Sequence, residues 1–128
     1  PPINDNTIPK VTYTNPQVAS VGMTQEEAEM AGHELKIAKF PFIANGKVQT
    51  TGEGEEGFIK VITDESSGEI MGVHLIGHEV GELIGGMSLA MNLEATNLEI
   101  SANLFPHPTL SEVFSEVFHM IEGKAIHI

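Results

Sequence analysis

The feature that most constrains this fold is an amphipathic segment near the C-terminus. Apolar residues recur there at helical spacing: Leu110, Val113, Phe114, Val117, Phe118 and Ile121. This spacing predicts one continuous apolar face of a helix. The polar face would carry Ser111, Glu112, Ser115, Glu116 and Glu122. The helix must therefore pack its apolar face against another layer of the protein.

The start of this helix is marked by a capping box and two prolines. Thr109 and, three residues later, Glu112 can each satisfy an otherwise unpaired backbone N–H, so the helix is predicted to begin near Thr109. Pro106 and Pro108 bracket His107, and a following proline favours an extended backbone. The sequence therefore predicts that the imidazole is held just before the helix, about one turn from Glu112.

His107 and Glu112 have two interpretations at this point. A carboxylate can orient an imidazole and stabilise its protonated form, which makes the histidine a tuned proton carrier. Alternatively, Glu112 only caps the helix and His107 is an ordinary surface or core histidine. The residues alone leave both interpretations open.

The motif His107-Pro108-Thr109-Leu110-Ser111-Glu112 resembles the signature of the C-terminal interface domain of the flavin disulfide reductases. The Leu-Ser form is most similar to the dihydrolipoamide dehydrogenase family. The resemblance implies that His107 and Glu112 form the catalytic acid/base dyad. That family commonly has a histidine at the position of Phe105, so the subfamily stays open. The separate stretch from Asn15 to Thr24 resembles the entry to the same domain.

The resemblance also implies cofactors and partners. In the complete enzyme, dihydrolipoamide would reduce a redox disulfide beside the flavin, and electrons would pass through FAD to NAD. We expect a homodimer in which His107 serves the disulfide of the partner subunit, a lipoyl-bearing acyltransferase as a further partner, and a cytoplasmic location. Two alternatives remain: a non-catalytic dimerisation or docking module, and the interface domain of another disulfide reductase such as glutathione reductase. The Leu110-Ser111 pair favours the first family over glutathione reductase.

The order of predicted elements indicates an α+β fold with helices packed on an antiparallel sheet. The resemblance implies that this fold is of the FAD/NAD-linked reductase dimerisation-domain type. It also implies that residues 1–10 are a linker from missing FAD and NAD domains and that residues 11–128 are the interface domain. The predicted strands are Lys10–Thr14, Val18–Gly22, Glu34–Phe42, Phe58–Thr63 and Glu69–Ile76. Helices are predicted at Thr24–Ala31, at Gly77–Asn92, from Thr96 and from Thr109. Gly81, Gly85 and Ser88 would form a small-residue face suited to a close neighbour or a second copy of the chain.

Composition excludes several functions. The 128 residues suffice for one domain with a core, and the absence of cysteine excludes a disulfide or thiolate metal site within the chain. The net charge of -12 disfavours nucleic acid and anionic membranes and favours basic protein segments as partners. No apolar run approaches membrane-spanning length and no signal peptide is visible. The start at Pro1 rather than Met leads us to expect a chain that is either processed or cut from a longer one.

Two apparent ligand motifs lack the context that they need. Residues 52–57 spell G-x-G-x-x-G, but a β-branched strand follows and three glutamates would repel a pyrophosphate. The metal-ligand types His74, His78, Glu79 and Glu82 lack a recognised metal-binding spacing. We therefore predict no cofactor-binding residues and no metal site within this chain.

Overall fold

The computed structural model describes residues 7–14, 16–42, 57–78, 80–102 and 112–123. Its strands are β1 (Lys10–Thr12), β2 (Gln17–Gly22), β3 (Leu35–Pro41), β4 (Gly57–Asp64) and β5 (Ile70–Gly77). Its helices are α1 (Gln25–Met30), α2 (Ile84–Asn92), α3 (Asn97–Ala102) and α4 (Glu112–Ile121), and a 3-10 helix spans Val80–Glu82. This arrangement of a sheet with packed helices confirms the predicted α+β fold.

The strands form one five-stranded sheet in the order β1-β2-β5-β4-β3, with every neighbouring pair antiparallel. The inner face of the sheet is apolar and packs under α2 and α4. Its buried side chains are Ala19, Val21, Ala38, Phe40, Ile59, Val61, Val73 and Leu75. On the outer face, α1 covers one end of the sheet through Ala28, which packs with Ile62 and Met71. The main core therefore lies between the sheet and its C-terminal helices.

The predicted hairpin between β4 and β5 is confirmed, and Asp64 organises its turn. The Oδ1 atom of Asp64 accepts bonds from the N–H and hydroxyl of Ser66 at 2.9 and 2.7 Å and from the N–H of Ser67 at 2.9 Å. Its Oδ2 atom lies 2.8 Å from Nδ1 of His33, which follows α1 in the chain. The Ser66 hydroxyl, the Ser67 N–H and His33 hold the pKa of this carboxyl well below its usual range.

The capping box predicted at Thr24 is confirmed in both directions. The Thr24 hydroxyl accepts from the Glu27 N–H at 3.1 Å, and the Glu27 carboxylate accepts from the Thr24 N–H at 3.0 Å. The helix ends at Met30, before Gly32. A local signal in the sequence was therefore enough to place this helix on the chain.

The single helix predicted over Gly77–Asn92 is wrong. The strand β5 continues through Gly77, which pairs with both Gln17 and Gly57, and α2 begins only at Ile84. A 3-10 helix lies between them, where the Gly81 N–H donates to Oε1 of Gln17 at 3.1 Å. Sheet pairing and this long-range bond have overridden the local helical pattern.

The first described residues are tied to the rest of the domain. Lys10 lies in β1, and Thr7 is buried, with its hydroxyl donating to Asn92 at 2.8 Å. The division into a linker and a domain after residue 10 stays a prediction.

Among the residues that the structure describes, no helix has the length and apolar character needed to cross a membrane.

Candidate functional site

Glu112 is the first described residue of α4 and is partly buried. Its motif partner His107 lies outside the described residues, as do Phe105 and Thr109, so the predicted dyad and its capping box stay predictions. The structure does place the helix that carries Glu112. A carboxylate in the first turn is favoured there, because the N-terminus of a helix is the positive end of its dipole.

The helix α4 is held firmly by its apolar face. Its buried side chains include Val113, Phe114, Val117, Phe118 and Ile121, which confirms the predicted stripe over the described residues. The helix packs on β3 and β4 and beside α3. The hydroxyl of Ser101 in α3 donates to the Glu122 carboxylate at the far end of α4. Glu112 is therefore carried by an element fixed along its length.

One residue of α4 departs from the sequence prediction. Glu116 was assigned to the polar face, but it is 9% exposed. It lies one turn after Glu112, on the same side of the helix. The prediction is wrong because helical periodicity locates the face that meets the sheet and does not show which other segments cover the remaining flanks. The sequence carries no signal for this burial.

The candidate metal ligands do not form a cluster in the described part of the chain. His74 lies in β5, and its Nε2 atom donates to the Met23 carbonyl at 2.8 Å. His78 is exposed in the following turn, Glu82 lies in the 3-10 helix, and Glu79 is outside the described residues. Within the ranges described, no group of three His, Cys, Asp or Glu residues could hold a metal ion.

The last glycine of the G-x-G-x-x-G stretch has a structural role in the sheet. Gly57 opens β4 with a φ of 96°, and a Cβ there would lie 1.7 Å from the carbonyl oxygen of Ile76. The other motif positions are outside the described residues. A strand thus follows this motif where a dinucleotide site needs a helix, as the sequence indicated.

An exposed apolar surface runs along α2. Leu89 is 60% exposed and Leu93 72%, and both follow Gly85 at intervals of four residues. A Cβ built on Gly85 or Gly86 would meet no atom within 4 Å. Sequence reasoning identified Gly85 and missed the two leucines, although their i, i+4, i+8 spacing could have revealed them. We call Gly85, Gly86, Leu89 and Leu93 the α2 face.

Comparison with known sequences gives a consistent result. The family model for the pyridine nucleotide-disulphide oxidoreductase dimerisation domain matches residues 8–118. A dihydrolipoyl dehydrogenase of Zymomonas mobilis is 48% identical over 126 residues, which is 98% of this chain and 27% of that protein. A dihydrolipoyl dehydrogenase of Bacillus subtilis is 44% identical over 126 residues, or 98% of this chain and 26% of that protein. The chain thus spans about a quarter of the length of the curated relatives it matches.

Solved structures show the same fold. LpdA from Mycobacterium tuberculosis matches with a TM-score of 0.86 and 23% identity, over 94% of this chain and 26% of that chain. The HOCl-induced flavoprotein disulfide reductase RclA from Escherichia coli matches with a TM-score of 0.83 and 23% identity, over 88% of this chain and 26% of that chain.

Proposed function

Because the chain belongs to the dimerisation-domain family of the pyridine nucleotide-disulphide oxidoreductases, we propose that it is the interface domain of a dihydrolipoyl dehydrogenase. The observation that carries this proposal is 48% identity to a dihydrolipoyl dehydrogenase across 98% of the chain. The complete protein would oxidise dihydrolipoamide. This similarity favours an enzyme domain over a non-catalytic docking module.

We assign the proton transfer to His107. A thiol with a pKa of about 8.5 is mostly protonated at pH 7, whereas thiol–disulfide exchange requires the thiolate. A base must therefore take the proton from dihydrolipoamide, and an imidazole has a suitable pKa for doing so near neutral pH. His107 has this role in the proposal, and it would return the proton in the reverse direction.

Glu112 is the positioning partner of His107 in this proposal. A carboxylate that accepts a hydrogen bond from one ring nitrogen fixes the tautomer and leaves the other nitrogen free to act as the base. Support comes from α4, which carries Glu112 in its first turn and packs its buried face on β3 and β4. Such a support limits the positions that the Glu112 carboxylate can take.

The cofactors of the proposed enzyme are FAD and NAD, and we assign both to parts of the polypeptide outside this chain. The G-x-G-x-x-G stretch does not fit a pyrophosphate, because Gly57 enters a strand and the stretch carries three glutamates. Residues 1–10 would link this domain to the dinucleotide-binding domains. The contribution of this chain to the chemistry is therefore the proton carrier and the subunit contact.

A dimerisation domain implies a homodimer. We propose that the α2 face contributes to the contact, because it combines exposed leucines with glycines that let another backbone approach closely. A two-fold contact would then bring His107 of one subunit to the redox disulfide of the other.

The remaining partner and the location are also proposals. A lipoyl-bearing acyltransferase subunit would deliver the dihydrolipoamide, and the net charge of -12 would favour a basic docking segment on it. A cytoplasmic location fits a chain without cysteine.

The test uses the full-length protein with His107→Gln. Dihydrolipoamide oxidation should fall by roughly 10²- to 10⁴-fold, the range for loss of a positioned general base. Oxidation of NADH by an artificial acceptor should largely survive, because that reaction does not need the thiol proton. Glu112→Gln should slow the dithiol reaction less, since it disturbs the base without removing it.

His119→Gln is the matched control. His119 lies in α4, is partly buried and has its Nδ1 atom 3.4 Å from the Ser115 hydroxyl. Its replacement should leave both reactions close to wild type. Dithiol turnover by His107→Gln at the wild-type rate, with the fold intact by circular dichroism, would refute the assignment.

A further inference from the structure

A row that carries three lysines and a histidine crosses the outer face of the sheet. Strand register pairs Lys10 with Ser20, Ser20 with His74, His74 with Lys60, and Lys60 with Lys39. Residues directly opposite each other in a sheet point to the same face, so these five lie side by side across all the strands. We call them the basic row. With strands about 4.8 Å apart, the row spans about 19 Å.

The row concentrates positive charge on an acidic protein. It holds three lysines of a chain with six basic and 18 acidic residues. Lys60 donates to the neutral amide oxygen of Gln25 at 2.9 Å, and the Lys39 ammonium lies 3.9 Å from the centre of the Phe58 ring. Among the described residues, the ion pair present is the one between His33 and Asp64. Neither Lys39 nor Lys60 has a carboxylate within ion-pair distance in those ranges.

Glu27 of α1 is an acidic group close enough to the row to interact with Lys10 and His74. Its pKa is lowered chiefly by hydrogen bonds from the Thr24 N–H and hydroxyl, and to a smaller degree by Lys10 and His74. Its carboxylate is thus already engaged in capping α1. The row keeps a net positive charge even when Glu27 is counted with it.

An apolar row runs parallel to the basic row, two residues further along each strand. It contains Val18, Ile76 and Phe58, which are paired across β2, β5 and β4. Val18 is 39% exposed. Ser20, His74 and Lys60 of the basic row and the three apolar residues line a shallow groove beside Thr24 and Gln25, at the start of α1. Strand pairing continues the basic row beyond this groove to Lys39 on one side and Lys10 on the other. Two residues along a strand is about 6.7 Å, so both rows are within reach of one partner element.

We propose that this groove docks an acidic amphipathic helix of a partner protein. One helical turn advances about 5.4 Å, close to the spacing of about 4.8 Å between strands. Carboxylates on two successive turns can therefore meet Lys60 of β4 and Lys39 of β3, while apolar side chains on the adjacent flank cover Val18, Ile76 and Phe58. This site is separate from the α2 face, which lies on the other side of the sheet.

The experiment measures fluorescence anisotropy of a labelled peptide with full-length protein. The probe is a synthetic helical peptide with Glu and Leu on adjacent flanks, once per turn, and the comparison peptide has Gln in place of Glu. The Glu peptide should bind, and more weakly as salt is raised. Replacing both Lys39 and Lys60 with Gln should weaken binding about three- to tenfold, as expected for two exposed ion pairs.

Lys36→Gln is the matched control, because Lys36 is an exposed lysine of the same strand that lies outside the basic row. The Lys36→Gln variant should bind the Glu peptide with the affinity of the wild type. Val18→Thr should weaken binding of the same peptide, because it removes apolar surface from the apolar row. The proposal is overturned if the Glu peptide does not bind, if the Gln peptide binds equally well, or if Lys36→Gln has the same effect as the double variant. Inorganic pyrophosphate could also displace the Glu peptide and itself bind more weakly to the Lys39 and Lys60 double variant. That result would overturn the proposal and assign the basic row to small anions.

Discussion

Gly81 and Gly85 provide a sharp test of the packing around α2, because the same substitution should have opposite effects at the two sites. A Cβ on Gly81 would lie 3.0 Å from Cγ1 of Val11 and 3.1 Å from Oε1 of Gln17. A Cβ on Gly85 would meet nothing within 4 Å. Gly81→Ala should therefore destabilise the fold, and Gly85→Ala should stabilise it.

The magnitudes follow from these contacts. Crowding by one methyl group in a packed site costs about 1–3 kcal/mol. Weakening the hydrogen bond from the Gly81 N–H to Gln17 lowers the free energy of unfolding by about 1 kcal/mol more. Alanine also restricts the unfolded chain, which raises the free energy of unfolding by about 0.4–1 kcal/mol. The net loss for Gly81→Ala is about 1–4 kcal/mol. At Gly85, the helix preference of alanine gives a gain of up to about 1 kcal/mol.

The assay is chemical unfolding of the 128-residue chain followed by circular dichroism, at a protein concentration at which sedimentation shows the same oligomeric state for each variant. A dimer would otherwise add its association free energy to the result. Sedimentation also tests the α2 face: Gly85→Ala should raise the dimer dissociation constant even though it stabilises each subunit. Equal unfolding midpoints for Gly81→Ala and wild type would refute the close approach between the 3-10 helix and β1–β2.

Two other perturbations test the support of α4 and the hairpin turn. Phe118 is fully buried, so Phe118→Ala leaves a cavity and should lower the free energy of unfolding by about 3–5 kcal/mol. Phe118→Leu should lower it less, as measured by the same denaturant titration. The folded-state pKa of Asp64 is lowered, so its stabilisation is present above the unfolded value near 3.9 and is lost as pH falls below it. The melting temperature of Asp64→Asn should therefore lie below that of wild type at pH 6 and the gap should narrow towards about pH 2; a constant gap would contradict this.

Local features were predictable because their causes lie within a few residues of sequence. The Thr24 capping box needs only a hydroxyl and a carboxylate three residues apart, and the β4–β5 turn needs only a short polar segment between two β-branched runs. The apolar stripe of α4 follows in the same way from helical periodicity. The motif containing His107 and Glu112 was likewise recognisable from sequence, while the dyad remains a proposal because His107 lies outside the described residues.

The sequence by itself determined where most of the strands and helices lie and which face of α4 packs on the sheet, because periodicity is a property of the chain alone. Only the tertiary structure decided how these segments constrain one another. Pairing of Gly77 with β2 and β4 shortened the helix predicted after it, and the packing around α4 buried Glu116. The register of five strands brought Lys10, Lys39 and Lys60 into one row. Contacts between residues so far apart in the chain depend on the assembled sheet, so no local pattern encodes them.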